Sequence, residues 1–420
     1  MAEPKLRFPE FKGEWKALKL SDIADRINRK NSHHETDLPL TISSLDGLVD
    51  QRTYFNKVVA SKDMSGYYLL KNGEFAYNKS YSAGYDYGSI KRLDMFDMGA
   101  LSTLYICFSL KDAEQSDFMV KYFDSQKWYK GVYEICAEGA RNHGLLNIPV
   151  DDFFDMEVCL PKDKKEEEKI LELFESVDDA ISAIKSEVAL WEEKKKGVMQ
   201  KIFSQEVRFR KEDGSEYPEW ESRVFKDVFT ILKNNTLSRA ELNYEEGYVG
   251  NIHYGDVLIK HPFVLDMKKE VIPYITDKDI AQKMERMSLK NGDVIISDTA
   301  EDETVGKATE IVNLHDEIVV SGLHTIPIRP VSIQFALGYL GYFINSNLYH
   351  DQLKPLMQGI KVTSISKGSI QDTIISYPCI EEQRKIVDCL LAIDEAIQLK
   401  KQKLKTWKNI KKGLLQQMFV

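Results

Sequence analysis

Two stretches of this chain carry the same helical periodicity. From near Lys165 to Phe203, the apolar residues Ile170, Leu173, Phe174, Val177, Ile181, Ile184, Val188, Trp191, Val198 and Ile202 recur mostly at three- and four-residue steps, with Lys and Glu between them. That spacing predicts one apolar stripe along an α-helix. Ile386, Leu390, Ile393, Ile397, Leu404, Trp407, Ile410, Leu414 and Met418 repeat the pattern near the C-terminus. Pro161 and Pro378 precede the two runs, where a helix can begin but not continue. At 1.5 Å per residue the first helix would span roughly 58 Å. This is too long for one small core and suits antiparallel pairing with its own repeat as a coiled coil.

The two runs are copies. Trp191 and Trp407, Gly197 and Gly413, and Phe203 and Phe419 are all separated by 216 positions. Asp178 and Asp394, and Gln200 and Gln416, keep the same offset. Upstream the copies are looser: Arg7-Phe8 and Glu14-Trp15 are echoed by Arg208-Phe209 and Glu219-Trp220, and Leu70 to Gly73 by Leu289 to Gly292. A repeat of this length organises the whole chain. It predicts a first globular region at 1–160, a helical region at 161–204, a second globular region at 205–377 and a second helical region at 378–420. The two regions are expected to form a pseudo-twofold molecule. Gly197 and Gly413 each cost about 1 kcal/mol inside a helix, and mark either close approach of a partner backbone or a helix weakening near its end.

Each globular region mixes strands with helices, an α+β composition. Glu74–Ser80 and Gly88–Arg92 predict strand, loop, strand. Asp293–Asp298 and Gly306–Glu310 do the same in the other copy, with the strands 104–108 and 325–328 and the helical stretches 118–128 and 335–348 following.

Composition narrows the function. No apolar run reaches the roughly 18 residues of a membrane span, and the N-terminus lacks a secretory apolar region, so a cytoplasmic protein is expected. Five scattered cysteines suit a reducing compartment and fit neither a disulfide frame nor a zinc site. The net charge of −9 weighs mildly against binding of nucleic acid by the chain alone, although the placement of positive groups matters more than their sum. Nucleotide and dinucleotide phosphate motifs are missing. His33-His34 has no spaced ligand partner, so no metal site is expected.

Polar loops remain. Tyr77–Ser82 and Gly139–Gly144 combine amide, guanidinium and hydroxyl groups able to read base edges or phosphates, and Gly359–Ser364 stands in the corresponding place in the second copy. With the Glu-Trp motifs, the Pro378–Ile386 opening and the Lys195–Phe203 and Lys411–Phe419 endings, the chain resembles the specificity subunits of type I restriction-modification systems along essentially its whole length. The resemblance implies a non-catalytic subunit whose two target recognition domains read a bipartite site in double-stranded DNA. It also implies helices that act as a spacer and dock two methyltransferase subunits, with restriction and translocation subunits in the full complex. S-adenosylmethionine, ATP and magnesium would then belong to the partners, and this chain would bind no cofactor. The candidate DNA contacts are Asn78, Lys79, Ser80, Tyr81, Lys91, Arg141, Asn142, His143, Thr299, Lys307, Lys361, Thr363 and Ser364. The candidate partner-facing helix residues are Trp191, Gly197, Phe203, Trp407, Gly413 and Phe419. The rival reading is a two-headed coiled-coil scaffold for other proteins.

Overall fold

A computed structural model describes residues 3–57, 59–136, 146–359 and 362–420. The chain divides into two compact units, Met1–Lys185 with Gln402–Val420, and Ser186–Lys401. Two long helices, α1 (Lys164–Phe203) and α2 (Ile380–Met418), each contribute to both units. Their first residues stand 216 positions apart, the offset of the sequence repeat.

In the first unit a four-stranded antiparallel sheet runs in the order Ala24–Arg26, Ile106–Leu110, Phe75–Asn78, Ser89–Arg92. The second unit repeats that order as Phe229–Ile231, Thr325–Pro330, Val294–Ser297, Ala308–Val312, and adds Val264–Asp266 as a parallel edge strand. The central strands are covered on both faces, and successive residues enter different cores: Phe75 and Tyr77 one and Ala76 another, Val294 and Ile296 one and Ile295 another. Phe75 stacks on Phe108 at 5.4 Å and Tyr77 on Phe153 at 4.9 Å. The expected fold class forms: two α+β units and two long helices that pair antiparallel.

The pairing is built into each unit separately. In the first, Asp178 on α1 accepts from Lys411 on α2 at 2.5 Å and from Lys121 at 2.7 Å. In the second, 216 positions on, Asp394 accepts from Lys195 at 2.6 Å and from the Tyr342 hydroxyl at 2.6 Å. Burial draws the Lys195 ammonium below the usual lysine range, against the pull of Asp394, and the ring of Phe263 lies 4.4 Å beneath it. Removing one member of a buried pair leaves an uncompensated charge, whereas exposed pairs contribute little. Asp394 is one-quarter and Asp178 one-third exposed, and loss of either strands largely covered ammonium groups, so Asp394→Ala and Asp178→Ala are each expected to cost about 1–3 kcal/mol. Urea midpoints of the two full-length variants test this; a midpoint equal to that of the wild type would refute it for that pair.

The helix ends are core residues. Phe419 lies within 6.2 Å of the rings of Trp15, Phe118, Tyr122 and Phe174 in the first unit, and Phe203 within 6.4 Å of Trp220, Tyr339 and Phe343 in the second. Each is 1% exposed. The expectation that these two phenylalanines face a partner is corrected: each closes a hydrophobic core and has no surface to offer.

Candidate nucleic-acid interface

The first candidate loop, 79–88, joins the sheet's Phe75–Asn78 and Ser89–Arg92 strands, and its shape is fixed from three directions. The Tyr77 hydroxyl donates to the Tyr87 carbonyl at 2.8 Å, Gln126 Nε2 to the Gly84 carbonyl at 2.8 Å, and the Tyr129 hydroxyl to the Gly88 carbonyl at 2.7 Å. Burial pushes both phenols well above the usual tyrosine range, so they remain neutral donors. Gly88 sits at φ +81°, and a Cβ there would lie 2.0 Å from the Asn78 carbonyl oxygen. Only glycine fits.

Within this frame Asn78, Lys79, Ser80 and Tyr81 are brought together at the start of the loop. Asn78 Oδ1 accepts from the Ser80 amide at 3.0 Å, which caps the turn and leaves the Asn78 amide nitrogen for other work. Tyr81 is 60% exposed. Lys79 is half-buried, and burial lowers its ammonium from the usual range. Lys91 is placed differently from the sequence expectation. Its ammonium is held by Asp124 at 2.7 Å with both side chains largely covered, so its charge is already paired.

In the second unit Thr299, Thr363 and Ser364 come together in a short antiparallel ribbon, Thr299 opposite Ser364 and Ala300 opposite Thr363. The Thr299 hydroxyl donates to Asp298 at 2.8 Å, and His324 Nδ1 lies 3.3 Å from both. The Tyr254 ring meets His324 edge-on at 5.3 Å, giving this unit a polar and aromatic edge. Lys307 turns away from it: its ammonium donates to the Leu258 carbonyl at 2.5 Å, and burial lowers its pKa. Arg141, Asn142, His143 and Lys361 lie outside the described residues.

On the helices, Trp191 and Trp407 are half-buried, and the ammonium groups of Lys194 and Lys400 stand 5.4 and 5.9 Å from the Trp191 ring. A Cβ at Gly197 would meet nothing within 4 Å, and one at Gly413 only the Gln417 amide nitrogen at 3.8 Å. Both helices continue past these positions, and the fold itself demands no glycine at either. Sequence reasoning missed Gln126 and Tyr129, the braces of the first loop. They lie 42 and 41 positions from the carbonyls they hold, beyond the reach of any local signal.

Among the described residues, no cluster of three or more His, Cys, Asp or Glu could hold a metal ion, and no helix is long and apolar enough to cross a membrane. Residues 217–408 match the family described as type I restriction modification DNA specificity domain. The type I restriction enzyme MjaVIII specificity subunit of Methanocaldococcus jannaschii is 22% identical over 98% of this chain and 92% of its own length. A chain solved in work on complex assembly and conformational transition of the type I R-M system superposes with a TM-score of 0.55 at 16% identity, covering 98% of each chain. That last likeness is one of fold.

Proposed function

We infer that this chain is a type I restriction-modification specificity subunit, the reading supported by the match of residues 217–408 and by the relative aligned over 98% of the chain, and that it selects the DNA sequence on which a restriction-modification complex acts and performs no chemistry itself. One observation carries the finer reading. Two units repeat one sheet order, and each presents a different polar loop or ribbon at the corresponding strand ends. A shared scaffold with divergent edges is what two different half-sites require, since base edges are read by side-chain donors and acceptors while the scaffold only positions them.

The target is therefore bipartite, one half read by each unit. Methyltransferase subunits dock along the helix pair, one for each copy of the repeat. Adenine methylation demands that the base be flipped into a separate active site, so S-adenosylmethionine belongs to those partners. ATP and magnesium belong to the restriction and translocation subunits, and the assembly works in the cytoplasm.

The test is a genome-wide map of N6-methyladenine in a host expressing this chain with its cognate methyltransferase, beside the same strain lacking this gene. A two-part motif that disappears on deletion is the expected result. Identical maps, with active partners in both strains, would overturn it and favour a protein scaffold, the reading to which the chain's net charge of −9 lends its weight.

A further inference from the structure

Among the described residues, nine of twelve arginines pair with carboxylates. An acidic protein that grips a polyanion must therefore find its positive groups elsewhere. The first unit contains such a place. A cleft of about 450 Å³ lies between the last turns of α2 and the loop 79–88. Lys408, Lys411 and Lys412 form one wall, and Gly84, Tyr85 and Gln126 stand on the other, beside Asp124, whose charge is taken up by Lys91 at 2.7 Å. The two walls differ in freedom. The loop wall is fixed by the Gln126 bond to the Gly84 carbonyl, and Lys411 is held by Asp178. Lys408 and Lys412, one helical turn apart and both exposed, pair with no carboxylate among the described residues.

We propose that this cleft is a phosphodiester cradle in which Lys408 and Lys412 hold the DNA backbone beside the first unit's recognition loop. The inference rests on the DNA-reading function proposed above. Phosphate contacts fix the register of a protein on the duplex without reading sequence, and lysine on a flexible stem serves them as a mobile point charge. DNA is the occupant because Gly84 and Tyr85, across from the lysines, belong to the same 79–88 loop as the candidate contacts Lys79 to Tyr81, so a strand whose bases meet that loop passes its phosphates along α2.

The repeat supplies an internal contrast. The corresponding cleft in the second unit is lined by Lys195, Lys196 and Gln200, but carries Glu192 at the position 216 before Lys408. Glu192 pairs with Lys401 at 2.6 Å, placing a carboxylate where the first unit has the Lys408 ammonium. The cradle is thus a property of the first unit alone, and the two copies have diverged on the helix as well as in the loops.

The experiment uses the complete complex with methyltransferase subunits and two duplexes of equal length, one carrying the mapped target and one unrelated. Lys408→Gln/Lys412→Gln is compared with Lys403→Gln/Lys405→Gln, which removes the same charge from exposed positions outside the cleft. Each phosphate contact contributes about 0.9 to the slope of log affinity against log salt. The cleft variant is expected to lower that slope by about 1.8 and to weaken binding at 0.1 M salt by roughly tenfold per lysine, equally on both duplexes. The methylated motif should not change. A slope no different from that of the control variant would overturn the proposal. So would failure of the cleft variant alone to assemble with the methyltransferase, which would make the cleft a protein-docking surface. If the wild-type complex shows no preference for the target while the slope difference persists, the sequence-reading function falls and the cradle stands.

Discussion

Arg208→Ala is expected to cost about 3–5 kcal/mol of stability, and Arg7→Ala somewhat less. Each arginine forks onto a glutamate in the first turn of a long helix. Arg7 donates to both oxygens of Glu166 at 2.7 and 2.8 Å, and Arg208 to both oxygens of Glu382 at 3.3 and 2.8 Å. The Glu166 and Glu382 side chains are 2% and 1% exposed. A helix N-terminus favours a carboxylate, but not enough to replace a charge-assisted fork lost from the interior. The two copies differ in what remains. Without Arg7, Glu166 still accepts from Trp15 Nε1 at 3.2 Å, whereas Trp220 Nε1 is buried without a partner in the second unit. Glu382 would be left more nearly alone. Arg52→Ala, which breaks an exposed pair with Asp50, should change stability by less than about 1 kcal/mol and serves as the control. Urea denaturation of the three variants gives the order; a loss for Arg208→Ala no larger than for Arg52→Ala would show that the buried carboxylate finds water or another donor.

Gly88→Ala should abolish recognition of one half-site and leave the other intact. Two effects add at this position. An alanine at φ +81° carries a backbone cost of about 1–3 kcal/mol. Its methyl would also sit 2.0 Å from the Asn78 carbonyl, so the Asn78–Ser89 end of the strand pair must open. That displaces Asn78 and the loop it begins. Gly84→Ala separates the two effects, because Gly84 shares φ +81° but has open space around its would-be Cβ; it should cost only the backbone term and preserve the motif. Methylation maps of both variants provide the readout. A full bipartite motif from Gly88→Ala would mean that the 79–88 loop takes no part in the reading.

The Arg-Phe and Glu-Trp motifs show how the sequence carried information whose meaning it did not disclose. Arg7 and Glu166 are separated by 159 positions, Arg208 and Glu382 by 174. The repetition of the two arginines was visible, but not that each pairs with a buried glutamate at the start of a long helix. Lys91 and Lys307 illustrate the opposite case. Their residue type and loop neighbourhood suggested phosphate contacts, yet Asp124 and the Leu258 carbonyl hold them. A lysine's partner depends on which distant atoms the fold brings within about 3 Å, and no local pattern encodes that.

Periodicity and repetition, both properties of the chain alone, determined the two long helices, their 216-residue offset, the antiparallel pairing and the strand–loop–strand order of both globular regions. Apolar spacing selects an element because a helix or strand must bury one face. A duplicated sequence then builds the same element twice. The tertiary structure decided which polar groups remain unpaired. It sent Phe203 and Phe419 into cores, fixed the 79–88 loop through Gln126 and Tyr129, and left Lys408 and Lys412 without a carboxylate among the described residues where Lys411 is held by Asp178. Burial and pairing are set by contacts between residues far apart in sequence, and those contacts exist only once the chain has folded.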